Sequence, residues 1–218
     1  MIKAVIFDLD GVIVSTDECH YQAWKAMADK EAIPFDRTDN ERLRGVSRME
    51  SLEIVLEKAA RPYSAEEKEQ LCTAKNDIYK QLILKLTPAA ILDGANDVLT
   101  LLKENGVKIA IGSSSKNTPT ILKQIDLYDY FDAISDGNNI SRSKPDPEVF
   151  LKAADMLGVP VEECLVFEDA FAGIEAAKNA GMLAYGVGFA ARCEQADYRA
   201  ADMSSREVID TLKQLCGI

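Results

Sequence analysis

The sequence predicts an α/β fold: a doubly wound, Rossmann-like parallel sheet with a small helical domain inserted after its first strand. Two observations carry this. From about residue 95 onward, short apolar runs alternate with helical segments, which demands crossover connections and therefore parallel strands. Residues 15–86, in contrast, hold three helical patterns and no strand run. The expected organisation is a core of residues 1–14 and 87–218 with an insert at 15–86.

The first strand lies in IKAVIFDLDGVIV (2–14). AVIF is apolar without alternation, the mark of a strand covered on both faces, and a Gly turn follows it. Thr16-Asp17 then caps a helix reaching about residue 32, with Trp24, Met27 and Ala28 on its apolar side. A second helix, at about 49–60, follows LRGVSR. A third opens on the capping box Ser64-Ala-Glu-Glu67 and runs to about residue 86. In the core, a helix at about 95–105 stops at Gly106 and the strand VKIAIG (107–112) follows. Another helix starts near Lys116, DAIS (132–135) is a short strand, and 146–157 is helical up to Gly158. LVFED (165–169) is a strand, 170–180 a helix ended by Gly181, and LAYGVG (183–188) the last clear strand. In such sheets ligands bind beyond the carboxyl ends of the strands.

Bulk properties narrow the function. The chain has 218 residues, 47% hydrophobic and 28% charged, ordinary values for a globular protein with a sizeable core. Its net charge of −11 opposes binding to nucleic acid or to an anionic membrane surface. No run approaches the roughly 18 apolar residues of a membrane span. No basic segment leads into an apolar signal core, so no secretion signal is expected. Five scattered cysteines, never spaced C-x-x-C, argue against a zinc site or a disulfide framework and fit a reducing cytoplasm.

Polar groups end three of the apolar strands: Asp8 and Asp10, then Ser113, then Glu168 and Asp169. Lys144, in SKPDP, is held extended by the proline that follows it. Singly these are turn or cap residues; jointly, at one sheet edge, they form a candidate site. Asp8, Asp10, Glu168 and Asp169 offer hard oxygens with no neighbouring His or Cys, a set suited to Mg²⁺ shared with phosphate oxygens. Lys144, the Ser113 hydroxyl and the backbone N–H of Ser114 and its neighbours supply donors for a phosphate. Asp8, ionised at neutral pH, can attack phosphorus without a base once its charge is neutralised. Asp10 can then serve as general acid and base. No G-x-x-x-x-G-K-[ST] is present, so a nucleotide P-loop is excluded as the explanation.

DLDGV, SSSKN, KPDP and EDAFAGI resemble the four motifs of the haloacid dehalogenase superfamily of phosphotransferases over nearly the whole chain, weakening after about residue 190. The insert resembles that family's mobile cap. Thr16, His20 and Trp24, RGVSRMES (44–51), AKND (74–77) and GSSSKN (112–117) are similar to the beta-phosphoglucomutase subgroup. The resemblance implies a phospho-Asp8 enzyme, with Mg²⁺ served by Asp8, the Asp10 carbonyl, Asp169 and Glu168. It implies that Ser113 and Lys144 hold the transferring phosphoryl group while Ser115, Lys116 and Asn117 contact substrate. Arg48 would receive the second phosphate, and Gly45, Val46, Ser47 and Ser51 would shape the sugar site with Trp24 as a wall. Thr16, His20 and Lys75 would couple cap closure to Asp10. Arg44 stands where Lys or Arg occurs, and Ala170 where Ser is frequent. A monomer acting on a sugar phosphate, primed by a sugar bisphosphate, is the implied system. A phosphatase of the same fold is the alternative; a non-catalytic module is opposed by the intact Asp8, Asp10, Lys144 and Asp169.

Overall fold

The computed structural model describes residues 1–43 and 47–218. In chain order its strands are β1 (Ala4–Phe7), β2 (Lys108–Gly112), β3 (Ala133–Ser135), β4 (Cys164–Glu168), β5 (Leu183–Gly186) and β6 (Tyr198–Arg199). They form one six-stranded sheet in the order β3-β2-β1-β4-β5-β6, and every pairing is parallel. All four residues of β1 are fully buried, as their unbroken apolar pattern requires. Register then positions chemistry: Phe7 lies opposite Ile111 on one side and Phe167 on the other. The residues that follow these, including Asp8 and Glu168, therefore emerge at one edge.

The helices are α1 (Asp17–Lys30), α2 (Arg37–Glu41), α3 (Arg48–Leu56), α4 (Ala65–Ile83), α5 (Ala95–Glu104), α6 (Thr118–Gln124), α7 (Glu148–Leu157), α8 (Phe171–Asn179) and α9 (Arg206–Cys216). The chain divides into two compact units, Met1–Ser15 with Thr87–Ile218, and Thr16–Leu86. In the larger, α7 buries Val149, Phe150, Ala153, Ala154 and Leu157. Each fully buried large apolar side chain contributes about 1.5–3 kcal/mol. Gly112 makes room for this helix, because a Cβ there would stand 2.7 Å from the Phe150 ring. The smaller unit has its own core, in which Trp24, Met27, Leu52 and Val55 are buried together. All five cysteines are free thiols, four of them buried.

Several expectations are corrected in detail. Thr16 stands at the start of α1, but its side chain makes no capping bond; its hydroxyl instead accepts from Tyr79, 3.2 Å away. The second expected helix begins at Arg48 and ends at Leu56, short of residue 60, and is opened by a Ser47–Glu50 capping box. The expected helix near Lys116 starts at Thr118, because Ser115 and its neighbours form a hydrogen-bonded turn. Among the described residues, the α-helices and strands not foreseen are α2, β6 and α9. The last carries Val208, Leu212 and Cys216 at four-residue spacing, a legible amphipathic pattern.

Candidate active site

Asp8 follows β1 and Glu168 closes β4, both buried. Lys144 lies between them: its ammonium donates to Asp8 Oδ1 at 2.6 Å and also to Glu168 Oε1. The other Glu168 oxygen accepts from the Ala170 N–H at 2.9 Å. Burial disfavours the Lys144 ammonium, but Asp8 and Glu168 outweigh it and hold its pKa above the ordinary lysine value. Burial pushes Asp169 well above the carboxylate range, reinforced by the charges of Glu168, Asp8 and Asp10. Burial likewise raises Glu168, against the pull of Lys144.

Carboxylate oxygens of Asp8, Glu168 and Asp169 lie within 4.8 Å of one another. Such a set, all hard oxygen and mutually repulsive in a low-dielectric setting, fits a divalent cation of the Mg²⁺ type. Two glycines clear space for it. Gly11 has φ +80°, and a Cβ there would fall 2.1 Å from Asp169 Oδ2; a Cβ on Gly173 would fall 1.9 Å from Glu168 Oε1. Asp10, half-buried, sits in the turn closed by the Val14 N–H to the Leu9 carbonyl at 3.0 Å.

The loop after β2 carries Ser113 to Asn117. Ser113 is buried, and its Oγ accepts from the Ser115 N–H at 3.2 Å, which leaves its hydroxyl proton available to a ligand. Ser115 Oγ accepts from the Asn117 N–H at 3.1 Å. The turn after β3 holds this loop from the side: Gly137 N–H donates to the Ser115 carbonyl at 3.2 Å, and Asn138 Nδ2 to the Lys116 carbonyl at 3.0 Å. Gly137 has to be glycine, since a Cβ would lie 2.5 Å from the Ser114 carbonyl.

Within the smaller unit, Thr16, His20 and Trp24 share a face of the helix they open. That face meets Lys75 and Tyr79 of α4. Lys75 is buried, 2.8 Å from His20 Nδ1, and its ammonium lies 4.9 Å from the Trp24 ring and 4.8 Å from the Tyr79 ring. The Tyr79 ring is 4.3 Å from the His20 ring. Burial, then the charges of Lys75 and Arg48, hold the His20 pKa well below the usual imidazole value. A neutral His20 accepts from Lys75 at Nδ1 and carries its proton on Nε2. Ser47, exposed Arg48 and buried Ser51 gather at the start of α3, where Ser47 caps through Glu50. Gly45 and Val46, with Arg44, lie outside the described residues.

The haloacid dehalogenase-like hydrolase family model matches residues 2–181. The chain belongs to this family. Among members, it is 50% identical over 189 residues to the beta-phosphoglucomutase of Bacillus subtilis, covering 86% of this chain and 84% of that protein. It is 33% identical to a phosphorylated carbohydrates phosphatase of Thermotoga maritima, over 83% of this chain and 82% of that one. A crystal structure of beta-phosphoglucomutase from Clostridium difficile superposes with a TM-score of 0.84 at 40% identity, covering 97% of this chain and 96% of that chain.

For a haloacid dehalogenase-like protein, the motif residues account for the strand-edge cluster but not for what supports it. The glycine turn expected after the first strand is Gly11, although its close approach to Asp169 was not foreseen; Tyr79, Gly137 and the role of Gly173 escaped sequence reasoning. Tyr79 stands four residues after Lys75, a helical spacing that pointed to a shared face. Gly173, in EDAFAGI, is a helix-interior glycine, a residue that weakens a helix unless something needs the space.

Proposed function

We propose that this protein is a beta-phosphoglucomutase, interconverting beta-D-glucose 1-phosphate and glucose 6-phosphate through phospho-Asp8 and a bound 1,6-bisphosphate. The observation that carries this is the 50% identity to the Bacillus subtilis mutase over 86% of the chain. The Thermotoga phosphatase, at 33%, supports hydrolysis of sugar phosphates as the second reading.

Asp8 Oδ forms a bond to phosphorus as the bond from phosphorus to the sugar oxygen breaks. Lys144, already shared between Asp8 and Glu168, offsets the repulsion between carboxylate and phosphoryl oxygens. Ser113 donates a hydrogen bond from its hydroxyl to the phosphoryl group, and the N–H of Ser114 adds a second donor. Asp10 gives a proton to the leaving sugar oxygen and later takes one from the other sugar hydroxyl, which then attacks phospho-Asp8. Mg²⁺, held by Asp8, Asp169, the Asp10 carbonyl and Glu168, would supply Lewis-acid stabilisation of the phosphoryl charge. Ser115, Lys116 and Asn117 contact the sugar phosphate.

In the insert, Arg48 binds the phosphate that is not reacting, while Gly45, Val46, Ser47, Ser51 and Trp24 form the sugar site. Thr16, His20 and Lys75 tie the state of this unit to Asp10. A sugar bisphosphate primes the enzyme by phosphorylating Asp8, and the protein works as a monomer in the cytoplasm without nucleic-acid or membrane partners. Among the described residues, no helix is long and apolar enough to cross a membrane.

A phosphorus NMR time course with beta-glucose 1-phosphate, Mg²⁺ and a trace of bisphosphate tests the proposal. Glucose 6-phosphate is the expected product. Inorganic phosphate as the main product would instead establish the phosphatase.

A further inference from the structure

Lys144 sits in a turn, SRSKPDPE (141–148), that is tied to itself. Glu148, in the first turn of α7, reaches back with both oxygens. The Ser141 N–H lies 3.0 Å from each of them, and the Arg142 N–H donates to Oε2 at 2.8 Å. Lys152, one helical turn on, stands 3.0 Å from Oε1. Asp146 closes the inner loop: its N–H donates to the Ser143 carbonyl at 3.1 Å, its carboxylate accepts from the Glu148 N–H at 3.0 Å, and Arg142 pairs with it at 3.0 Å. Hydrogen bonding from Lys152, then from the Ser141 N–H, holds the Glu148 carboxyl down to about 2, so the clasp stays charged at any working pH.

The clasp is also anchored. Val149 and Phe150, the next two residues, are fully buried, and the Phe150 ring lies 4.8 Å from the Lys144 ammonium. The Lys144 ammonium is held at its tip by Asp8 and Glu168, and its four-carbon stem can deliver it there only from a backbone kept within reach. We propose that Glu148 is a positioning residue: it grips the backbone two and three residues before Lys144 and thereby sets the ammonium between Asp8 and Glu168. Neither the strand-edge cluster nor the sugar site includes Glu148, and it touches no reacting atom. The inference rests on Lys144 serving the transferring phosphoryl group.

Glu148→Ala, Glu148→Gln and the parent test it in two ways. Misplacing a catalytic group by about 1 Å costs up to roughly a hundredfold in rate. The alanine variant is therefore expected to lose about ten- to a hundredfold in kcat with KM little changed, and the glutamine variant, which keeps an acceptor oxygen, less. The second readout is amine acylation followed by mass spectrometry of the folded protein. Lys144 should label at least about fivefold faster in Glu148→Ala, while Lys75, buried in the other unit, should not. Equal acceleration at both lysines would mean general loosening and would overturn the proposal. So would unchanged Lys144 labelling, whatever happens to kcat. Faster labelling of Lys144 with no loss of kcat would leave the positioning intact and remove the assignment of Lys144 to the phosphoryl group.

Discussion

Lys144 reaches Asp8 across 136 positions of sequence and donates to it at 2.6 Å, while the same ammonium donates to Glu168. One cation thus serves carboxylates at the ends of two adjacent strands, β1 and β4. The three side chains are between 1% and 11% exposed, so little solvent screens them. Removing one partner of a buried ionic set leaves an uncompensated charge, at about 3–5 kcal/mol. Lys144→Met is expected to lower stability by that order in urea denaturation at neutral pH without Mg²⁺. A loss below about 1 kcal/mol would mean the carboxylates find another counter-charge.

Asp10→Asn separates proton transfer from metal binding. The backbone carbonyl assigned to Mg²⁺ is unchanged, so Mg²⁺ affinity by calorimetry should stay within about threefold, whereas turnover should fall about 10²–10⁴-fold, the usual worth of general acid–base catalysis. Turnover at the parent rate would move the acid–base role to another group.

Arg48→Ala distinguishes mutase from phosphatase. A charge-assisted hydrogen bond contributes about 1.5–3 kcal/mol, or roughly ten- to a hundred-and-fifty-fold in kcat/KM. That loss is expected for glucose 1-phosphate, whereas hydrolysis of acetyl phosphate, which has no second phosphate, should change less than about threefold. Equal losses in both assays would point to folding, and no loss in either would return Arg48 to a solvated surface role.

Gly11→Ala probes the close approach of backbone to Asp169. The φ of +80° is strained for alanine, and its Cβ would stand 2.1 Å from Asp169 Oδ2. Both the turn and the carboxylate have to move. Stability should drop by more than about 1 kcal/mol, and Mg²⁺ affinity should drop about 10–100-fold, the range seen when support for a ligand is lost. Unchanged Mg²⁺ binding would remove Asp169 from the metal site.

His20 is the single histidine, so its imidazole signals are unambiguous by NMR. They should titrate well below the usual value of about 6.5. Lys75→Met should move the transition upward but leave it below that value, because burial, the larger cause, remains. The unfolded chain takes up a proton near pH 6.5 that the folded chain refuses. Stability from this group is therefore complete above that pH and falls as the pH drops below it. His20→Gln should accordingly flatten the fall in urea midpoint between pH 7 and 5.5 relative to the parent. Identical slopes would mean that His20 titrates alike in both states.

How far a residue could be read from sequence depended on how local its cause was. AVIF is apolar at every position, so β1 had to be covered on both faces, and the carboxylates joined directly to it had to emerge at the sheet edge. The same covalent logic applies to Ser113 after β2 and Glu168 in β4. The Ser64–Glu67 box and the glycine after α7 act through their own few residues and were equally plain. Where the local signal was weak or short, as in α2 and β6, the elements went unseen.

With α9 and its legible local pattern set aside, what else stayed hidden came from packing between segments distant in sequence. Nothing near Gly173 says that its missing side chain makes room for Glu168, and nothing near Tyr79 says that its hydroxyl takes the one that would have capped α1. Charge and hydrogen-bonding type reside in each residue and can be listed in order. Which carboxylates share Lys144, and which imidazole nitrogen faces Lys75, depends on distances of a few ångströms that sheet register and helix packing alone establish.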